Sequence, residues 1–112
     1  MPPDESDTAL VLDIIDACER IERFCKGYDR KSFSADEKTV SAVERQIVII
    51  GEAATKLSSE FRDSTNHIPW RDIISMRHLL VHHYGKTLSD PLWSTATRDV
   101  PTLLEQLRPH AT

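Results

Sequence analysis

The stretch VSAVERQIVIIGEAATKLSSEF, residues 40–61, carries the strongest helical pattern in the chain. Its apolar residues recur at alternating spacings of three and four over three heptads. They are Val40, Val43, Ile47, Ile50, Ala54, Leu57 and Phe61. Val48, Ile49 and Ala53 widen this stripe, so the helix should contact neighbours on more than one side. The pattern predicts the central helix of a bundle, or a helix that also packs across a dimer.

Helical periodicity also covers the N-terminal part of the chain. An apolar stripe runs through residues 8–28, and Gly27 is the expected end signal. Residues 29–33 are predicted to be a short polar connection to the central helix. The candidate capping residues of these two helices are Ser6 or Asp7 and Ser34 or Asp36.

A third helix is predicted after the loop of residues 62–67. Pro69 suits its first turn, because the amide that proline lacks has no partner there. Trp70 and the apolar residues that follow it supply the buried face, and Gly85 is the expected stop.

The last helix is predicted to open at Ser89 or Asp90, just before Pro91. Pro101 lies within its apolar pattern and must either kink the helix or split it, with Asp99 capping the new segment. The pattern leaves both outcomes open. Together the four or five segments indicate an all-α fold, an antiparallel bundle of four to five helices with short loops.

Length and composition indicate one domain spanning residues 1–112, with a short N-terminal tail at residues 1–6. No apolar run reaches the roughly 20 residues that cross a bilayer, and the acidic N-terminus does not resemble a secretion signal. Cys18 and Cys25 are two helical turns apart, too far for a disulfide, so we expect buried free thiols. These features predict a cytoplasmic protein with no membrane partner.

Residues 76–85, MRHLLVHHYG, concentrate the polar chemistry of the chain. The formal net charge is −4, yet residues 67–86 hold three cations against one carboxylate and four of the five histidines. That segment is net +2 when the histidines are neutral, which leaves −6 on the remainder. An acidic body with one basic patch can bind an anionic ligand at the patch, but not nucleic acid over its whole surface.

The residue types in this patch suit phosphate chemistry. Arg77 offers a fixed fork of donors for phosphate oxygens, and His82 can take or return a proton near neutral pH. On one helix these two side chains differ by about 140° and about 7.5 Å of rise, so a single copy would hold them diagonally. A second copy across a two-fold axis would bring them into one site. With Tyr84 nearby, the set could bind and cleave a phosphodiester without metal.

Two other interpretations of the patch remain open at this point. Arg77 and the histidines are also compatible with a solvated helix face, with Tyr84 packed at the helix end. His78 and His82 have the i, i+4 spacing of zinc-binding helices. The chain lacks the HExxH context and shows no third ligand, so no metal or other cofactor is predicted. Gly51, in the GEAATK stretch, is best explained by close helix packing together with Ala53 and Ala54.

The residues Arg77, His82 and Tyr84 match the RxxxxHxY signature of HepT-like toxins in the HEPN superfamily. The resemblance extends to VERQIVIIGEAATKLS at 43–58, to IISMRHLLVHHYG at 73–85 and to DVPTLLEQL at 99–107. It covers most of residues 8–108, so the chain resembles this family well beyond the short motif.

The resemblance implies a homodimer whose Arg and His residues line a cleft between protomers, acting as a metal-independent endoribonuclease. His82 would activate the ribose 2′-hydroxyl, and Arg77 would stabilise the charge that builds on the scissile phosphate. His78 stands where many relatives have Asn, so it would share or compete for the proton transfer. The candidate RNA-contacting residues beyond the motif are Arg71, His83 and Lys86.

The resemblance also implies a partner, a minimal nucleotidyltransferase antitoxin of the MntA type that transfers AMP to Tyr84. The added phosphate would repel RNA from the cationic cleft. The leading hypothesis is therefore the toxin of a HepT/MntA module that cleaves an RNA such as a tRNA or mRNA. The alternatives are a non-catalytic substrate-binding subunit of the nucleotidyltransferase and a helical interaction protein with a zinc or anion site.

Overall fold

The computed structural model describes residues 5–82 and 89–111, and their regular secondary structure is entirely helical. The α-helices are α1 (Glu5–Cys25), α2 (Arg30–Ala35), α3 (Glu37–Lys56), α4 (Ser59–Ser64), α5 (Trp70–His82), α6 (Ser89–Ser94) and α7 (Val100–Leu107). A π-helical turn, Thr95–Asp99, joins α6 to α7, and a 3₁₀ turn, Arg108–His110, follows α7. The bundle therefore consists of four long helical segments, which are α1, α3, α5 and the continuous segment, or rod, from α6 through α7. The predicted all-α fold is confirmed.

The central position predicted for the helix in residues 40–61 is also confirmed. α3 packs against both α1 and α5, and α1 packs in turn against α7. All seven residues of the predicted stripe are buried, as is Ala53, whereas Val48 and Ile49 are only partly covered. Burial of so many large apolar side chains supplies the main stabilising term of the fold.

Asp7 does not cap α1, contrary to the prediction, because it lies inside that helix and bonds to a distant partner. Its carboxylate accepts hydrogen bonds from the amide and the hydroxyl of Ser58, at 2.8 and 2.6 Å. The Ser58 hydroxyl oxygen in turn accepts from the amide of Phe61 and caps α4. Asp7 is almost fully buried. It therefore joins the start of α1 to the start of α4.

The connection predicted for residues 29–33 is wrong, because these residues enter a helix of their own. Asp29 and Ser32 form a reciprocal capping box at the start of α2. Phe33 then buries its ring 5.1 Å from that of Trp93. A local cap and one buried aromatic are thus enough to fold these few residues into a helix.

The central apolar pattern spans two helices in the structure. Asp36 caps α3, as one of the two predicted residues, through the amide of Thr39 at 3.2 Å. α3 ends at Lys56, and Ser58 starts α4, so Phe61 belongs to the next helix. The heptad spacing continues through the break and gives no sign of it.

Pro101 does not split the last helix, because helical backbone continues through it and Asp99 makes no side-chain cap. The preceding turn widens into a π-helix in which the amide of Val100 donates to the carbonyl of Thr95, five residues back. A proline in a helix lacks its amide and crowds the carbonyl four residues back, so a wider turn relieves both problems. Thr97 and Thr102 donate their hydroxyls to the carbonyls of Trp93 and Arg98.

Cys18 and Cys25 are free and buried, as predicted. Burial raises the pKa of the Cys18 thiol to about 12, with Glu22 and Glu19 adding to the effect and Arg108 opposing it. Burial also raises the pKa of Cys25. Within the described residues no helix is long and apolar enough to span a membrane.

Candidate functional site

The candidate site is built on the crossing of α3 and α5, where Gly51 faces Arg77. A Cβ atom placed on Gly51 would overlap Cβ of Arg77 and lie 2.6 Å from its Cγ. Only glycine therefore lets the two helices approach this closely. The prediction that Gly51 serves close helix packing is confirmed. The side chain that packs against it is that of Arg77, the predicted catalytic arginine. The side-chain stem of Arg77 is thus fixed by packing.

The guanidinium of Arg77 lies close to Glu52, the residue that follows Gly51 on α3. Nη2 of Arg77 is 3.8 Å from Oε1 of Glu52, and the two side chains are 31% and 43% exposed. This separation is short enough for an ion pair but too long for a hydrogen bond. Nε of Arg77 is buried and makes no hydrogen bond to any described residue. The arginine is therefore paired with an acid without being hydrogen-bonded to it.

The other predicted residues on α5 are distributed over two faces. Arg71 and His78 are exposed and lie seven residues apart, which places them on one side of the helix. Arg77 faces α3 and is partly covered. His82 belongs to α5, five residues after Arg77, and its side chain lies outside the described part. His83, Tyr84, Gly85 and Lys86 lie outside the described residues.

Side-chain contacts anchor the starts of both α5 and α6. At the start of α5, the buried Trp70 donates its indole N–H to the hydroxyl of Thr65 at 3.0 Å. At the start of α6, the hydroxyls of Ser89 and Ser34 are 2.9 Å apart. Arg30 of α2 also reaches the carboxylate of Asp90, at 3.4 Å.

A groove with a volume of about 350 Å³ lies between α3, α5 and the rod of α6 and α7. Its floor is apolar and includes Ile47, Ile50, Met76 and Leu103. Met76 and Ile50 directly precede Arg77 and Gly51 in the chain, so the groove begins beside the helix crossing. Leu79, one turn beyond Met76, is 39% exposed. The site therefore borders an apolar surface.

Among residues 5–82 and 89–111, no three His, Cys, Asp or Glu side chains converge to hold a metal ion. Asp36 caps the start of α3. Hydrogen bonds from Tyr28 and Thr39 lower the pKa of its carboxyl group.

A family model described as "Ribonuclease HepT-like" matches residues 14–109. This match covers most of the chain, including both helices of the Gly51–Arg77 crossing. The chain belongs to the HepT-like ribonuclease family. Membership confirms the resemblance inferred from the RxxxxHxY motif, and it confirms the predicted enzyme class at the level of the family.

Individual relatives agree with the family match. A protein of Thermococcus cleftensis named "Probable ribonuclease HepT" is 38% identical over 86% of this chain and 90% of its own length. A protein of Caldanaerobacter subterraneus named "Putative RNase" is 33% identical over 85% of each chain. A third, named "Putative RNase" in Methanocaldococcus jannaschii, is 28% identical over 88% of this chain and 91% of its own. No solved structure matches the chain.

Glu52, which lies beside Arg77 in the structure, was not predicted from the sequence to be near the candidate site. The signal was the GEA stretch itself, in which a helix-weakening glycine is followed by an acid. Spacing along one helix cannot reveal which residue of another helix lies against that glycine. Glu52 and Arg77 are 25 residues apart in sequence, and they come together only because α3 packs against α5.

We expect Gly51→Ala to lower the free energy of unfolding by about 1–2 kcal/mol. Alanine gains roughly 1 kcal/mol of helix propensity, whereas overpacking costs about 1–3 kcal/mol. Because the added Cβ would overlap the Arg77 stem, the cost here lies at the upper end, about 2–3 kcal/mol. Urea denaturation of the two proteins measures the difference. Ser41→Ala, on the exposed face of α3, is the control and should stay within about 0.5 kcal/mol. An alanine variant as stable as the wild type would contradict the close approach.

Proposed function

We propose that this protein is the toxin of a HepT/MntA toxin–antitoxin module, a metal-independent endoribonuclease silenced by AMP addition to Tyr84. The observation that carries the proposal is the placement of Arg77. In a chain of this family, the motif arginine is held at a helix crossing, is partly exposed, and lies too far from Glu52 for a hydrogen bond to that acid. Such a guanidinium is ready to bind a phosphate and to stabilise the charge that develops on it.

The proposed reaction is transesterification within RNA. His82 accepts the proton of the ribose 2′-hydroxyl, whose oxygen attacks the adjacent phosphorus and displaces the 5′-oxygen of the next nucleotide. The products are a 2′,3′-cyclic phosphate and a 5′-hydroxyl end, with the leaving oxygen taking up a proton. Arg77 stabilises the phosphorane-like transition state, and His78 is the further candidate for proton transfer. The proposed substrate is cytoplasmic RNA such as tRNA or mRNA.

Purified protein should cleave total RNA in the presence of EDTA. Arg77→Ala and His82→Ala should each lower the rate about 100-fold or more, because each removes transition-state stabilisation or proton transfer. Gel electrophoresis of the RNA measures the rate, and circular dichroism confirms that the variants remain helical.

The matched control is Arg98→Ala, which alters an exposed side chain outside both the motif and the basic patch. It should retain wild-type activity. A wild-type protein that is helical but does not cleave RNA would favour the alternative, a non-catalytic subunit that partners a nucleotidyltransferase. Cleavage abolished by EDTA would contradict the metal-independent mechanism.

The proposed active form is a homodimer. Val48 and Ile49 of α3 and Leu79 of α5 are apolar and incompletely buried, and they lie within about one helical turn of the residues at the crossing. A second copy that covered part of this apolar surface would place a second Arg77 and His82 near the first pair. In such a dimer, Arg77 of one protomer could act with His82 of the other, although the two side chains lie diagonally apart on a single helix.

The dimer proposal predicts complementation between inactive variants. If each site takes Arg77 from one protomer and His82 from the other, a heterodimer of Arg77→Ala and His82→Ala contains one intact site. Half of the dimers in an equilibrated equal mixture are heterodimers, so about a quarter of wild-type activity should return. Unfolding and refolding the mixture equilibrates the subunits, and each variant refolded alone is the control. No recovery from a dimeric mixture would place both residues of each site on one protomer.

Regulation by the antitoxin should depend on Tyr84. Incubation with ATP and a nucleotidyltransferase of the MntA type should add AMP to the protein and abolish cleavage, because the added phosphate brings negative charge to the basic patch. Tyr84→Phe should remain unmodified and active. Tyr28→Phe is the control, since its hydroxyl is engaged with Asp36 and Thr39, and it should still be modified. Intact-mass spectrometry follows the addition, and AMP found on Tyr84→Phe would refute this site.

A further inference from the structure

Packing against Gly51 fixes only the first part of the Arg77 side chain. The contacts at Gly51 involve Cα, Cβ and Cγ of Arg77. The torsions beyond Cγ decide where the guanidinium lies, and the Gly51 contact does not set them. A second interaction can hold the charged end in one place.

Glu52 is placed to supply that interaction. It follows Gly51 on α3, and its Oε1 atom lies 3.8 Å from Nη2 of Arg77. Among the residues that the structure describes, it is the acid that pairs with Arg77. We infer that Glu52 is a positioning residue for Arg77, holding the guanidinium over the α3–α5 crossing so that its donors meet the scissile phosphate. The inference rests on the proposed ribonuclease function.

The length of the ion pair fits this role better than competition with substrate. At 3.8 Å the carboxylate makes no hydrogen bond to the guanidinium, so it does not consume donors that a phosphate would need. A phosphate would form shorter, charge-assisted bonds with the same group. Glu52 therefore directs the arginine through charge without saturating it.

Partial exposure of both side chains also limits what the pair contributes to folding. Ion pairs with this degree of solvent access are weak, and salt screens them. The main consequence of removing the carboxylate should therefore be a misplaced guanidinium, with little loss of stability. Small displacements of a group that stabilises a transition state have large effects on rate.

We expect Glu52→Gln to lower kcat about 10-fold while KM changes less than about 2-fold. The rate falls because Arg77 meets the transition state less well, whereas most RNA affinity comes from other phosphates. Glu44→Gln, a partly buried acid on the same helix, is the matched control and should leave both parameters unchanged. Urea denaturation of both variants tests that the fold is retained.

The double variant separates positioning from direct catalysis. In an Arg77→Ala background, Glu52→Gln should cause no further loss, because a positioning residue acts only through the group it positions. The limbs of the pH–rate profile should also keep their places. An additional loss in the double variant, or a displaced limb, would show that Glu52 itself transfers a proton and would overturn the inference.

A readout independent of activity keeps this inference distinct from the proposed function. In ¹H–¹⁵N spectra of the folded protein, the Nε–H signal of Arg77, assigned with Arg77→Lys, should shift or broaden in Glu52→Gln but not in Glu44→Gln. An unchanged signal would refute positioning even in an active ribonuclease. A changed signal in a protein that does not cleave RNA would support the Glu52–Arg77 geometry and refute the proposed function alone.

Discussion

The close approach of α3 and α5 at Gly51 is the constraint on which both the fold and the candidate site depend. α3 is the central helix, and its position beside α5 is set where the missing Cβ of Gly51 admits the Arg77 stem. The same contact takes a residue that would otherwise extend into solvent and fixes half of its length. Gly51 thus sets the distance between α3 and α5 at their crossing and the point from which the Arg77 side chain extends.

Most of the bundle was predictable because apolar periodicity reports burial directly. The stripe from Val40 to Phe61 is buried throughout, and the helix starts at Asp36 and Ser89 were signalled by local residue chemistry. The errors have a common physical origin in partners that are distant in sequence. Asp7 looked like a cap but bonds to Ser58, and the α3–α4 break is hidden by an apolar spacing that continues across it.

The site was predictable only in part for a related reason. Arg77 and His82 were identifiable by residue type and by the family resemblance, since both features are carried by a contiguous motif. The environment of Arg77 comes from α3 and depends on which face of that helix meets α5. Periodicity identifies the buried face but not the contact across it, so Gly51 was assigned to packing and Glu52 to no role.

The charge distribution gives the Gly51–Glu52 pair a further consequence. The protein body is acidic, and an arginine free to sample that body would meet several carboxylates. Packing on Gly51 places the stem of Arg77, and the guanidinium lies beside one of them, Glu52, at a distance too long for a hydrogen bond. An acidic surface discourages nonspecific contact with RNA, while one fixed cation retains a local attraction for phosphate. Selective exposure of positive charge, set by helix packing, is therefore how a net-negative chain can present a site for RNA.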